Sequence, residues 1–137
     1  MATLIDTNVL LDLFEVGGEW EAWSLEQVAI AREVGPVVIN PLIYAEMAAG
    51  FDREAELEAA LPPTKFTRED LPWQAAFLAG RAFLLYRRSG GAKRSPLPDF
   101  YVGAHAAVAG HSLLTRDHAR YASYFPTLRI IAPETRP

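Results

Sequence analysis

The sequence predicts an α/β fold: a central parallel sheet with helices packed on both faces, in three α/β/α layers. Two observations lead there. Short apolar runs of strand length alternate with longer stretches whose apolar residues recur at three- and four-residue intervals. Residues that cap helices follow those runs almost at once, as strand-to-helix connections require.

Taken in order, Thr3-Leu4-Ile5 reads as the first strand, ended by Asp6 just before a helix. Trp20, Trp23, Gln27 and Ile30 then follow helical spacing, with Leu25, Val28 and Ala29 on another side. Val37-Val38-Ile39 is the second strand, and Asn40-Pro41 gives the next helix a cap and a proline at its first position. Leu61-Pro62-Pro63 is a loop. Over 68–88, Leu71, Ala75, Leu78, Ala82 and Leu85 predict a helix, opened by Thr67 with Asp70 and closed by Gly90-Gly91. Pro96-Leu97-Pro98 introduces Asp99 and the helical run FYVGAHAAVAG. Ser112–Thr115 and Leu128–Ile131 complete a set of four expected strands.

Composition narrows the function classes. With 137 residues, half of them hydrophobic, one domain spanning 1–137 buries its own core. There is no cysteine, which excludes disulfides and thiolate metal sites and fits a reducing cytoplasm. No basic, then apolar, leader is present, and no apolar run reaches membrane-spanning length, so a cytoplasmic protein without membrane contact is expected. The net charge of −4 exerts no global pull on nucleic acid, so any such contact needs a local patch.

Three aspartates fall at the carboxyl ends of strands or at helix starts: Asp6, Asp99 and Asp117. That is where open α/β sheets bind ligands. Each taken singly is explained by helix capping. Glu46 is not, because its helix already has Asn40; its neighbours Ala45, Met47, Ala48 and Ala49 suggest a mostly buried, small-residue face. A glutamate there needs a partner or a cation. Four carboxylates sharing one crevice repel one another unless a cation neutralises them. All-oxygen ligation suits Mg²⁺, with Mn²⁺ as a substitute. Such a site activates water for attack on a phosphodiester and needs no protein nucleophile.

The stretches IDTNVLLDLF, NPLIYAEMAAG, PDFYVGAHAAVAG, LLTRDHARYASYFP and LRIIAP resemble the PIN-domain ribonucleases, specifically the VapC-like toxins of type II toxin–antitoxin pairs. The resemblance runs from residue 4 to residue 133 and is loose over 51–95. It implies that Asp6 and Asp99 are the principal metal ligands and that Glu46 and Asp117 complete a catalytic quartet. Thr7, Asn8 and Thr115 match the small polar residues that support those acids. The implied activity is metal-dependent endoribonuclease cleavage of RNA; the implied partners are an antitoxin protein and a second copy in a homodimer.

Other features are weaker. Arg87, Arg88, Lys93 and Arg94 precede the segment carrying Asp99, and Arg116 adjoins Asp117; all five are candidates for RNA phosphates. Cations closing a helix are an equal explanation for the cluster. His105 reads as a packed, hydrogen-bonded side chain, whereas His111 and His118 lack the third partner of a zinc site. The Trp20–Trp23 stripe reads as core or as a partner groove. Two rivals remain. A receiver-type phosphoacceptor domain needs a lysine near its last strand, and none follows Lys93. A non-catalytic PIN-like binding protein is expected to have lost an acid, and all four stand here.

Overall fold

The computed structural model describes residues 1–90 and 97–134. Among them, five strands form one parallel sheet in the order β3-β2-β1-β4-β5: β1 (Thr3–Ile5), β2 (Val37–Ile39), β3 (Thr67–Arg68), β4 (Ser112–Leu114) and β5 (Ile130–Ile131). Seven helices flank it: α1 (Thr7–Phe14), α2 (Glu21–Val34), α3 (Pro41–Ala48), α4 (Glu54–Ala60), α5 (Trp73–Arg88), α6 (Leu97–Ala109) and α7 (His118–Ala122). The three central strands are buried throughout, which is why they read as continuous apolar runs rather than alternating ones. Leu4, Ile5, Val38, Leu113 and Leu114 form the middle of the core, each side chain worth about 1.5–3 kcal/mol on burial.

The chain lays down β1, steps outward to β2 and β3, then returns across β1 to build β4 and β5. The order therefore reverses between β1 and β4, and the carboxyl ends of these two strands are where open α/β sheets place a ligand crevice. Asp6 N–H donates to Leu114 O (2.9 Å) and Thr115 N–H donates to Ile131 O (3.0 Å). The ladder thus carries one residue past each strand and pins Asp6 and Thr115 at that crevice.

Two expectations need correction. The sheet has five strands, because Thr67–Arg68 pairs with Val38–Ile39 as an edge strand. The helix expected over 68–88 accordingly begins at Trp73, with Pro72 as its cap residue. Thr67 and Asp70 look like a capping pair, but Pro72 fixes an extended approach and fits only the very start of a helix. Glu46 is the other. On α3 only Ile43 and Met47 are fully buried, and the alanines around Glu46 face outward, so its face is open.

Gly103, in α6, permits a close approach. A Cβ there would lie 2.5 Å from a ring carbon of Phe125 and 3.0 Å from Tyr121. The missing side chain lets α7 and the chain after it press against α6.

Candidate active site

Asp6 is both cap and centre. One carboxylate oxygen accepts from Thr7 N–H (2.8 Å), capping α1; the other accepts from Thr115 Oγ1 (2.8 Å) and Tyr121 OH (2.9 Å). Thr7 Oγ1 donates to Glu46 Oε1 (2.9 Å), tying α3 to the start of α1. Asn8 Nδ2 donates to Thr115 Oγ1 (3.3 Å), while its Oδ1 accepts from Arg116 N–H (3.2 Å). Asp117 N–H also donates to Thr115 Oγ1 (3.1 Å), and Asp117 caps α7 through Arg120 N–H (3.1 Å). Thr7, Asn8 and Thr115 thus set the orientation of three acids. Asp99 enters from the first turn of α6.

Arg120 and Tyr121 escaped the sequence reading. Arg120 Nη1 donates to Asp99 Oδ2 (2.6 Å), and its Nε lies 3.1 Å from Asp117 Oδ2. Their positions three and four residues after Asp117, on one helical face, were the available signal. Among the described residues, Arg120 is the one cation that forms ion pairs within the quartet, with Asp99 and Asp117.

Burial comes first in the electrostatics of the acids, and their mutual repulsion adds to it. Burial raises the Asp6 carboxyl above its ordinary value, and the Asp99 charge adds to it against three hydrogen bonds that oppose it. Burial likewise raises Glu46, helped by Asp99 and Asp6. Asp99 is raised by burial and Asp117, although Arg120 pulls it down. Burial opposes the charge on Arg120, but Asp99 and Asp117 outweigh it and strengthen its hold on its proton. A surplus of negative charge on hard oxygen donors fits a divalent cation of the Mg²⁺ class.

The other sequence candidates are scattered. Arg87 and Arg88 are exposed in the last turn of α5, with the Arg87 guanidinium over the Phe83 ring at 5.7 Å. Lys93 and Arg94 lie outside the described residues. Arg116, expected to face a phosphate, turns inward instead. Its Nε is 3.0 Å from Asp12 Oδ2, near enough for an ion pair although the angle makes no hydrogen bond, and the guanidinium sits over Trp20 at 5.1 Å. Asp12, only 3% exposed, also accepts from Ser24 Oγ (2.7 Å). Trp23 packs half-buried against the core and meets Trp20 edge-on, whereas Leu25 and Ile30 on the same helix are exposed.

His105 is hydrogen-bonded as expected, and His111 gains partners the sequence did not suggest. Both Nε2 atoms approach Glu69 Oε1, at 3.0 and 2.8 Å. Among the described residues this is the set of three whose ligand atoms lie within 4.8 Å of one another; the four acids stand wider apart. Asn40 decides the chemistry. Its Oδ1 accepts from Ile43 N–H, so its amino group faces His105 Nδ1 at 3.0 Å and makes that nitrogen an acceptor. The proton then sits on Nε2 and points at Glu69, leaving no lone pair there for a metal. Burial lowers the His105 value and favours this neutral form. The trio braces α6, β3 and β4.

A parallel sheet whose reversal point is lined by four carboxylates defines an acid-centred α/β class suited to phosphate chemistry. A family model for the PIN domain matches residues 3–123, and the chain belongs to that family. No curated protein sequence matches it. Among solved structures, VapBC-1 from nontypeable Haemophilus influenzae is similar with a TM-score of 0.71 at 18% identity, covering 96% of this chain and 98% of that one. VapBC2 from Rickettsia felis, solved with a DNA fragment from its promoter, gives 0.70 at 16%, covering 96% and 98%. A toxin–antitoxin complex from Klebsiella pneumoniae gives 0.61 at 25%, covering 96% and 97%.

Proposed function

We propose that this protein is a divalent-metal-dependent endoribonuclease acting as the toxin of a toxin–antitoxin pair. The observation that carries the reading is that Asp6, Glu46, Asp99 and Asp117 lie close enough to feel one another's charge, with three of the four carboxyls raised, by burial first and then by neighbouring acids. Asp6 and Asp99 would hold Mg²⁺ or Mn²⁺, with Glu46 and Asp117 completing the donor set. Bound there, the ion supplies a hard Lewis acid that activates water and offsets the charge of a phosphodiester under attack. The chain's own residues keep the donors in place. Thr115 and Tyr121 fix one Asp6 oxygen, Thr7 aims Glu46, and Asn8 ties the β4 loop to α1.

Support for the partner comes from the similar structures, several solved as toxin–antitoxin complexes. The antitoxin would cover the apolar residues left exposed on α1 and the turn after it, Leu11, Phe14 and Val16. A second copy would pair through α5, where Trp73 is 88% and Phe77 65% exposed. Exposed Arg87 and Arg88 at the end of α5 are the RNA contacts this reading retains, together with Lys93 and Arg94. Among the described residues, no helix is long and apolar enough to cross a membrane.

The deciding assay incubates total RNA with the protein and Mg²⁺. Cleavage is expected from wild type, abolished by chelation and by Asp6→Asn. Cleavage that survives both changes would mean the acids are not the active site. A folded protein that binds RNA and Mn²⁺ but never cuts would favour the non-catalytic PIN-like alternative.

A further inference from the structure

Arg120 holds two acids with two different nitrogens: Nη1 on Asp99 at 2.6 Å and Nε on Asp117 at 3.1 Å. Those acids come from separate elements, α6 and the loop after β4, so the guanidinium spans the crevice. Its hold is incomplete. The side chain is 47% exposed, and Asp6 and Glu46 receive no ion pair from it. An arginine cannot shed its charge to make way, so it either stays or moves. The carboxylates it pairs with are those proposed to hold the divalent ion, and a guanidinium kept against them would sit within a few ångströms of that ion and be repelled by it. Being half in solvent, Arg120 has room to swing outward, where its planar fork suits a phosphate oxygen pair.

We infer that Arg120 is a resident counterion that gives up Asp99 and Asp117 when metal binds and then faces the substrate phosphate. The inference rests on the reading of the four acids as a metal site. In the metal-free protein the guanidinium limits repulsion between Asp99 and Asp117, which keeps the crevice formed. In the loaded protein it becomes a contact for the RNA backbone at the point of cleavage.

Arg120→Met removes the charge and keeps much of the length. Calorimetric titration of the full chain with Mn²⁺ is expected to show R120M binding at least about fivefold more tightly than wild type, since a competing interaction is gone. Cleavage at saturating Mn²⁺ should fall by about a hundredfold, as when a positioned donor to the reacting group is lost. A residue that merely braced the fold would not raise metal affinity when removed. Equal or weaker Mn²⁺ binding by a folded R120M overturns the exchange, and tighter binding with undiminished cleavage overturns the phosphate role. If neither protein binds Mn²⁺, the metal-site reading beneath the inference falls as well, so the two failures are told apart. Should R120M not fold, wild type decides. Mg²⁺ titration should shift the Arg120 guanidinium N–H resonances as its contacts with Asp99 and Asp117 are lost, and resonances unmoved at saturation overturn the proposal.

Discussion

Arg116 and Arg120 leave the same loop and helix beyond β4, four residues apart, and each meets aspartate. Their surroundings differ in one respect that decides their roles. Arg116 matches one cation to one acid: Asp12 is buried, Ser24 donates to the same Asp12 oxygen and Trp20 covers the guanidinium. Arg120 sets one cation against four acids at an open crevice, and three of those acids stay raised despite it. A balanced pair holds elements together. An unbalanced one has bonding capacity left for something else.

The largest effect should come from the unbalanced side. Asp99→Asn is expected to lower Mg²⁺-dependent cleavage by about a hundredfold or more, since several kcal/mol of transition-state stabilisation depend on the bound ion. Circular dichroism should remain that of wild type. Full activity in a folded Asp99→Asn protein would erase the distinction between the two arginine sites.

Asp12→Ala tests the balanced side. It leaves Arg116 without its acid and should cost about 1–3 kcal/mol in urea denaturation. Mn²⁺ affinity should not change. A loss of metal binding as large as that from Asp99→Asn would mean that the two sites are one network.

The smallest effect concerns pH. Asp6, Glu46 and Asp99 have raised carboxyls in the folded, metal-free protein, foremost through burial. The folded state therefore retains protons that the unfolded chain has already released. Stability from these groups is present below the ordinary carboxylate range and is lost as pH rises through the raised values. Mg²⁺ competes with those protons, so its rise in unfolding midpoint should be larger at about pH 7.5 than at about pH 5. An Mg²⁺ shift independent of pH would show that the ion does not bind at the raised acids.

Asp6 and Asp117 were legible because each closely follows a run whose burial is unmistakable. Leu4-Ile5 and Leu113-Leu114 can only be central strands, so the polar residues after them had to lie at the sheet's end. Edge strand β3 was not legible: Thr67 and Arg68 are both exposed and carry no apolar signal. Glu46 was placed on the right helix but on the wrong kind of face, because alanines fit a solvent-facing helix as well as a buried one. Arg116 looked like a phosphate contact from its position beside Asp117, yet its direction depends on Asp12, more than a hundred positions away in sequence. Arg120 and Tyr121 carried a local signal, a cation and a phenol one turn beyond Asp117. It acquires meaning only with the packing of Tyr121 against α6 at Gly103.

Gly103 gives the site a setting that involves none of its reacting groups. Asp99 lies one turn earlier on the same helix, and the surface of α6 at Gly103 is the seat for Tyr121 and Phe125. A side chain at that position is expected to push the Phe125 and Tyr121 rings away from α6 and so to loosen the Tyr121 bond to Asp6, measurable as a fall in cleavage by Gly103→Ala. Under the proposed toxin function, this offers a graded route to attenuation. Gly103→Ala keeps every acid and every cation, yet loosens their alignment, and a single back-substitution restores it.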